Sequence, residues 1–93
     1  MPETKDELIE FYGTECPHCR DMEPLMARLE KETGKKVKRF EVWHNAENAK
    51  LMQKYDPSGI RCGGVPFFFN KKSGKWICGS TGWEKFRAWA EGK

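Results

Sequence analysis

The sequence lacks a long hydrophobic stretch, and its longest strongly apolar run covers only residues 65–69. A membrane-spanning helix needs about 20 such residues, so the sequence predicts no membrane span. Residues 1–7 are polar and charged, which is not typical of a signal peptide. The compartment stays open: the cytoplasm is the default, and the periplasm or an organelle is the alternative for a trimmed mature chain.

An excess of charge is also lacking, because 17 Lys and Arg oppose 14 Asp and Glu, for a net charge of +3. The one short basic cluster, Lys35, Lys36, Lys38 and Arg39, lies where a predicted helix gives way to a strand. Nucleic-acid binding favours a basic stripe interleaved with exposed aromatic residues. We therefore interpret the cluster as a solvated loop and predict no nucleic-acid partner.

The hydrophobic pattern predicts seven elements in the order β-α-β-α-β-β-α. The strands are predicted at residues 8–12, 37–43, 66–70 and 75–78, and the helices at 17–33, 46–55 and 83–90. The initial β-α-β unit implies a parallel pair with a right-handed crossover, and the short turn after residue 70 implies a hairpin. We expect an α/β fold with a four-stranded mixed sheet and helices on both faces, formed by a single domain at 7–93 after a short lead-in at 1–6.

Two of these elements carry irregularities. Pro24 lies inside the first predicted helix and should kink it, because proline lacks an N–H donor and its ring clashes with the preceding turn. In the second strand, Val37 and Phe40 are assigned to one face and Arg39 to the other, an alternation that requires one slip.

The most informative motif is the C-x-x-C pair Cys16 and Cys19, which lies where a buried strand meets the start of a helix. Pro17 suits the first helical turn, whose N–H groups are unpaired anyway. These N–H groups and the helix dipole stabilise a thiolate on Cys16, which we expect to be the more exposed and more acidic thiol of the pair. A protonated His18 would add a positive charge beside this thiolate. The pattern predicts a redox dithiol.

Two other interpretations of the cysteines remain open. Cys16 and Cys19 could hold copper(I) or zinc in a metal-binding or metallochaperone domain, with His18, Cys62 or Cys78 as further ligands. A second C-x-x-C or a C-x-x-H, which a tetrahedral zinc site would favour, is lacking, and we predict neither a metal nor another cofactor. The thiols could also be inert.

Residues 8–19, Leu-Ile-Glu-Phe-Tyr-Gly-Thr-Glu-Cys-Pro-His-Cys, resemble the strand and active-site segment of the thioredoxin superfamily. Gly59-Ile60-Arg61 followed by Gly64-Val65-Pro66 resembles its second signature, a cis-proline loop before the third core strand. The resemblance covers roughly residues 7–92 and implies a minimal thioredoxin-like domain. Pro-His between the cysteines is similar to DsbA-like oxidants.

The resemblance implies a thiol–disulfide oxidoreductase that exchanges disulfides with protein substrates and with an unidentified redox partner. Cys16 would attack a substrate disulfide, and Cys19 would resolve the mixed disulfide; the reverse path oxidises dithiols. Pro66 would follow a cis bond, and the Val65 backbone would pair with an incoming chain. A recruitment domain of the same fold, without enzymatic activity, is a third hypothesis.

Glu10 lies in the first strand, which is predicted to be covered on both faces. An isolated carboxylate there costs several kcal/mol unless it is paired or protonated. The resemblance places a buried acid at this position as a proton acceptor for the second thiol, which here is Cys19. The alternative is a solvated residue at the edge of the strand.

Cys62 lies four residues before Pro66, next to two glycines that leave its thiol little cover. A free, exposed thiol there could exchange with Cys16–Cys19 near the substrate-binding loop, pair with a partner molecule or link two copies of an otherwise monomeric domain. The alternative is a small buried hydrophobic residue, which is the interpretation we adopt for Cys78.

Overall fold

The computed structural model describes residues 7–93, so the predicted lead-in at 1–6 lies outside the described residues. The described elements are β1 (Leu8–Tyr12), α1 (Pro17–Asp21), α2 (Glu23–Thr33), β2 (Val37–Glu41), α3 (Ala46–Tyr55), β3 (Phe67–Asn70), β4 (Trp76–Cys78) and α4 (Trp83–Ala90), with one 3-10 turn at Pro57–Gly59. Their order agrees with the predicted one, except that the first helix is divided into two. The longest helix, α2, has 11 residues, and none within 7–93 combines the length and apolar character that a membrane crossing requires.

The four strands form one mixed sheet, as predicted, and their order in the sheet is β2-β1-β3-β4. β1 pairs in parallel with β2 and antiparallel with β3, and β3 and β4 form the predicted hairpin. β1 is central, and its residues 8–11 are each at most 3% exposed. Leu8 packs with Leu29 of α2 and Phe86 of α4, whereas Phe11 on the other face packs with Leu51 of α3. Helices therefore cover both faces of the sheet.

The division of the first helix occurs at Met22, which ends α1 and precedes α2. Pro24 lies in the first turn of α2, where its missing N–H costs no intrahelical hydrogen bond. The predicted kink is confirmed. α2 ends at Gly34, whose φ of 75° is left-handed and whose N–H donates to the Glu30 carbonyl at 2.8 Å.

The second strand differs from its predicted pattern. Phe40 is buried beside Phe11, with ring centroids 5.6 Å apart, whereas Val37 packs against the core on the opposite face. The strand is regular and buries apolar residues on both faces, so the predicted slip is wrong. Regular alternation puts Arg39 on the same face as Val37, in register with Glu10.

Candidate active site

Cys16 and Cys19 form a disulfide at the start of α1, with Cα atoms 5.2 Å apart. Cys16 is the N-cap of the helix: its backbone is extended, and its Sγ accepts a hydrogen bond from the Cys19 N–H at 3.1 Å. Pro17 occupies the first turn, where no donor is lost. In the reduced protein, the same N–H would point at the Cys16 thiolate and stabilise it.

Both cysteines of the pair are buried: Cys16 is 3% exposed and Cys19 is 1% exposed. Cys16 is slightly more exposed than Cys19 in the disulfide form, and the expected difference between the two reduced thiols stays a prediction. The cover over Cys16 includes the cis-proline loop, whose Val65 carbonyl oxygen lies 3.9 Å from Cys16 Sγ. Cys16 Sγ therefore lies at the junction between the helix start and the cis-proline loop.

The loop contains the Val65–Pro66 peptide bond, which is cis. Beside it lies an open groove of about 350 Å³. The groove is lined by Val42, Trp43, Met52, Gln53, Asp56, Ser58, Gly59, Gly63, Gly64 and Val65. Trp43 is 51% exposed, and its ring packs on Gly13, where a Cβ would find no space. The structure thus places an exposed aromatic residue beside the loop that faces the dithiol.

Glu10 is fully buried, as the prediction of a covered strand required. Its Oε1 accepts a 2.7 Å hydrogen bond from Arg39 Nε, while Oε2 is buried without a partner. Burial raises the pKa of Glu10 to about 7, although Arg39 acts in the opposite direction. Glu10 lies on the face of β1 that also carries Leu8, which packs against Met22 at the junction of α1 and α2. The carboxyl group is therefore beneath the helices that carry the dithiol.

Arg39 is a site residue that the sequence interpretation missed, because it was assigned to a solvated basic cluster. Besides Glu10, it contacts the Glu23 carboxylate at 3.4 Å and lies over the Tyr12 ring at 4.0 Å. The signal that identifies it is the register of the parallel pair, in which Glu10 is opposite Arg39. The guanidinium group of Arg39 is the positive charge that lies against the buried Glu10 carboxylate.

His18 and Glu15 lie on either side of Cys16 and Pro17 in the sequence. Each side chain contacts a different partner. The His18 side chain is 71% exposed, and its Nδ1 lies 3.8 Å from the Asp21 carboxylate. Glu15 accepts from His44 Nε2 at 2.8 Å, and this contact raises the pKa of His44. Asp21 therefore offsets the positive charge expected at His18, and a protonated His44 offsets the negative charge of Glu15. Neither Asp21 nor His44 was predicted.

Cys62 is bonded to Cys78, so the prediction that it is a free thiol is wrong. A dimer linked through Cys62 would need a free thiol at this residue, and in the structure Cys62 is bonded to Cys78. Cys78, predicted as a buried hydrophobic residue, is exposed in β4, and Cys62 is half-buried. The error arose because the hairpin pairs Cys78 with Phe67, directly beside the cis-proline loop, and a pattern along the chain does not show that proximity.

The loop before the cis-proline is organised by the buried carboxylate of Asp56. It accepts hydrogen bonds from the N–H groups of Arg61 at 2.6 Å, Cys62 at 3.2 Å and Gly63 at 2.9 Å. Burial alone would raise the pKa of Asp56, but these three donors hold it below its usual value. Among residues 7–93, no group of three or more His, Cys, Asp or Glu side chains is arranged to hold a metal ion.

A central strand that leads into a dithiol at a helix start, opposite a loop with a cis-proline, defines a thioredoxin-like fold. The family model described as Thioredoxin matches residues 1–88, and the chain belongs to the thioredoxin family. A comparison with curated proteins found no match. At the level of the family, a domain with a disulfide-forming C-x-x-C pair is a thiol–disulfide oxidoreductase.

Proposed function

We propose that this domain exchanges disulfides with protein substrates through Cys16 and Cys19. The observation that carries the proposal is the position of Cys16 Sγ, which lies between the Cys19 N–H at 3.1 Å and the Val65 carbonyl at 3.9 Å. The N–H stabilises the thiolate form, and the loop presents backbone groups to a bound chain. A reactive sulfur and a peptide-binding edge are thus adjacent.

Each exchange proceeds in two balanced steps. In the oxidising direction, a substrate thiolate attacks Cys16 Sγ, the Cys16–Cys19 bond breaks, and Cys19 leaves as a thiolate that takes up a proton. The second substrate thiolate then attacks the substrate sulfur of the mixed disulfide, which forms the substrate disulfide and releases the Cys16 thiolate. The reverse sequence reduces a substrate disulfide and leaves the domain oxidised.

We favour the oxidising direction, as in DsbA-like proteins with Pro-His between the cysteines. A thiolate stabilised at the helix start makes the reduced domain more stable and the disulfide form a stronger oxidant. Pro17 supports this arrangement because it permits the helix to begin directly after Cys16. A separate redox partner then restores the disulfide after each turnover.

The substrate chain binds in an extended conformation beside Val65 and Pro66. The groove next to Val65 accepts an apolar substrate side chain against the exposed Trp43. Aromatic residues provide large contact areas at low cost in conformational entropy. We expect substrates with an apolar residue near the reacting cysteine to be favoured.

Glu10 serves as the proton acceptor for Cys19. Its Oε1 is held by Arg39, and its Oε2 has no partner and can take a proton directly or through a water molecule. With a pKa raised to about 7, the carboxyl group exchanges protons readily near neutral pH. Glu10→Gln should slow the release of a trapped mixed disulfide while the alkylation rate of Cys16 stays nearly unchanged; equal release rates would show that the carboxylate only fills space in the core.

The test of the proposed function is the capture of a mixed disulfide. A Cys19→Ser variant, incubated with a peptide that carries a disulfide, should form a stable covalent adduct through Cys16. The matched Cys16→Ser variant should form none. If neither variant is captured, and reduced wild-type protein instead binds zinc or copper(I), the proposal is wrong and the metal-binding alternative takes its place.

A further inference from the structure

The second disulfide, Cys62–Cys78, joins the cis-proline loop to the edge strand β4 across 16 positions of the chain. It lies beside the substrate-binding edge proposed above, and the thiol–disulfide exchange of Cys16 and Cys19 does not use it. Its position allows the second disulfide to affect the conformation of that edge.

The Val65–Pro66 dipeptide is held between the two disulfides. Cys16 Sγ lies 3.9 Å from the Val65 carbonyl oxygen, and Cys62 Sγ lies 4.0 Å from the Pro66 carbonyl oxygen. The Pro66 carbonyl also accepts a 2.8 Å hydrogen bond from the N–H of Gly79, the residue after Cys78. Cys62 itself and the residue that follows Cys78 therefore contact Pro66, which positions the substrate-binding backbone.

Opening this disulfide would release only part of the loop. Asp56 holds the backbone of Arg61, Cys62 and Gly63 by hydrogen bonds that do not depend on the bond between the sulfurs. The segment between Gly63 and Pro66 is held instead by the hydrogen bond from Gly79 to the Pro66 carbonyl and by the contact of the Val65 carbonyl with Cys16 Sγ. Reduction would therefore loosen the binding edge while the fold persists.

The two sulfurs differ in access and in electrostatic surroundings. Cys78 is exposed and Cys62 is half-buried, so a thiol from solvent reaches the Cys78 sulfur first. The Asp56 carboxylate accepts a hydrogen bond from the Cys62 N–H at 3.2 Å. Its negative charge disfavours a second negative charge on the nearby Cys62 thiolate. The disulfide form is favoured as a result, and it should be harder to reduce than Cys16–Cys19, whose thiolate is stabilised.

We propose that Cys62–Cys78 is a second thiol-reactive site, whose co-substrates are low-molecular-weight thiols and whose reduction weakens the binding of peptide substrates at the cis-proline loop. This inference rests on the proposed function, because it concerns substrate binding for the exchange at Cys16 and Cys19. Under strongly reducing conditions the domain would bind its substrates less tightly, although Cys16 and Cys19 are both still present as thiols.

The reaction at this site is balanced by two molecules of thiol. The thiolate of the first attacks Cys78 Sγ, the bond to Cys62 breaks, and Cys62 leaves as a thiolate that takes up a proton. The second thiolate attacks the small-molecule sulfur of the mixed disulfide, which releases Cys78 and forms the small-molecule disulfide. The protein pair is reduced, and two thiols are oxidised.

The first experiment tests reactivity in a Cys16→Ser, Cys19→Ser variant, which retains only the second disulfide. Glutathione redox buffers of decreasing potential should open the bond reversibly, as followed by alkylation and mass, while circular dichroism shows that the protein stays folded. The midpoint should lie below that of Cys16–Cys19, measured in a Cys62→Ser, Cys78→Ser variant. A bond that opens only when the protein unfolds would overturn the proposal.

The second experiment tests binding with the oxidised protein and a synthetic peptide that carries two reduced cysteines. In the Cys62→Ser, Cys78→Ser variant, the half-saturating peptide concentration should rise roughly tenfold, which corresponds to about 1.4 kcal/mol. The limiting rate should change little, and the rate at which dithiothreitol, a dithiol too small to contact the loop, reduces the Cys16–Cys19 bond should stay the same. The single variants Cys62→Ser and Cys78→Ser open the same bond and replace the double variant if it does not fold.

The outcomes separate the two proposals. Wild-type protein that oxidises neither the peptide nor dithiothreitol contradicts the proposed function. Wild-type protein that oxidises both, with the same half-saturating concentration in the double variant, contradicts the role of Cys62–Cys78 and leaves the proposed function standing.

Discussion

Two regions of the molecule contain the same pair of chemical groups, a disulfide and a buried carboxylate, in opposite electrostatic settings. At Cys16–Cys19, an N–H donor points at sulfur, and the nearby Glu10 has one oxygen without a partner. At Cys62–Cys78, the carboxylate of Asp56 receives three backbone N–H donors on the loop that carries Cys62. The donors favour negative charge on sulfur in the first region and on carboxylate in the second.

The consequence is a division of roles between two bonds of the same kind. In the proposed mechanism, a stabilised thiolate would make Cys16 a good nucleophile and a good leaving group, and the raised pKa of Glu10 would allow it to exchange a proton. Asp56, whose pKa is lowered by backbone N–H donors, instead fixes the backbone of its loop. The surroundings of a disulfide, more than its presence, decide how readily it is reduced.

The largest expected effect is the loss of exchange when the reactive region loses its nucleophile. Cys16→Ser should lower the rate of peptide oxidation by a factor of roughly 10³ or more, because a serine hydroxyl does not form a disulfide. In the Cys62→Ser, Cys78→Ser variant, dithiothreitol should still reduce the Cys16–Cys19 bond at the wild-type rate. Substantial activity in Cys16→Ser would mean that the two regions have exchanged roles.

The two bonds should also differ in their contributions to stability. Removing Cys62–Cys78, which closes a loop across 16 positions, should lower the free energy of unfolding by about 3 kcal/mol, against about 2 kcal/mol for the short Cys16–Cys19 loop. Chemical denaturation of the two double serine variants measures both values under oxidising conditions. A larger loss from the Cys16–Cys19 variant would contradict the expectation that Cys62–Cys78 contributes more to the stability of the fold.

The two carboxylates should give opposite dependences of stability on pH. Because the pKa of Glu10 is raised from 4.5 to about 7, the folded state binds its proton more tightly, and stability falls as pH rises through this window. The free energy of unfolding of Glu10→Gln, relative to that of wild type, should therefore increase by about 3 kcal/mol between pH 4.5 and about pH 7 and stay constant at higher pH.

Asp56→Asn is the matched comparison at the second carboxylate. The pKa of Asp56 is lowered from 3.8, so its contribution is present above that pH and is lost as the pH falls through the lowered value. The variant should be less stable than wild type at neutral pH and should approach it in acid. Parallel profiles for the two variants would show that the carboxylates do not differ as the structure indicates.

The sequence predicted features that depend on neighbouring residues and missed those that depend on register. Local periodicity was enough for the strand at Leu8–Tyr12 and the helix at Ala46–Tyr55, and the motif at Cys16 fixed the position of the dithiol. The Glu10–Arg39 pair joins residues 29 positions apart, and it follows only from the alignment of two parallel strands. The Cys62–Cys78 bond likewise requires the hairpin register.

The smallest expected effect concerns His18, the residue between the cysteines. Its side chain is 71% exposed and lies 3.8 Å from the Asp21 carboxylate, so solvent and a counter-charge both weaken its field at sulfur. His18→Ala should raise the pKa of the reduced Cys16 thiol, because a positive neighbour is lost, but by less than about one pKa unit, or ~1.4 kcal/mol.

The measurement for His18 is the pH dependence of Cys16 alkylation, with Asp21→Asn as the matched control. Removing the Asp21 charge leaves the histidine uncompensated, so the control should move the pKa of the Cys16 thiol in the opposite direction, downward. A small shift in both variants would indicate that the backbone N–H of Cys19 supplies most of the stabilisation of the Cys16 thiolate. An increase well above one pKa unit in His18→Ala would show instead that the ring turns from Asp21 toward sulfur once the disulfide is reduced.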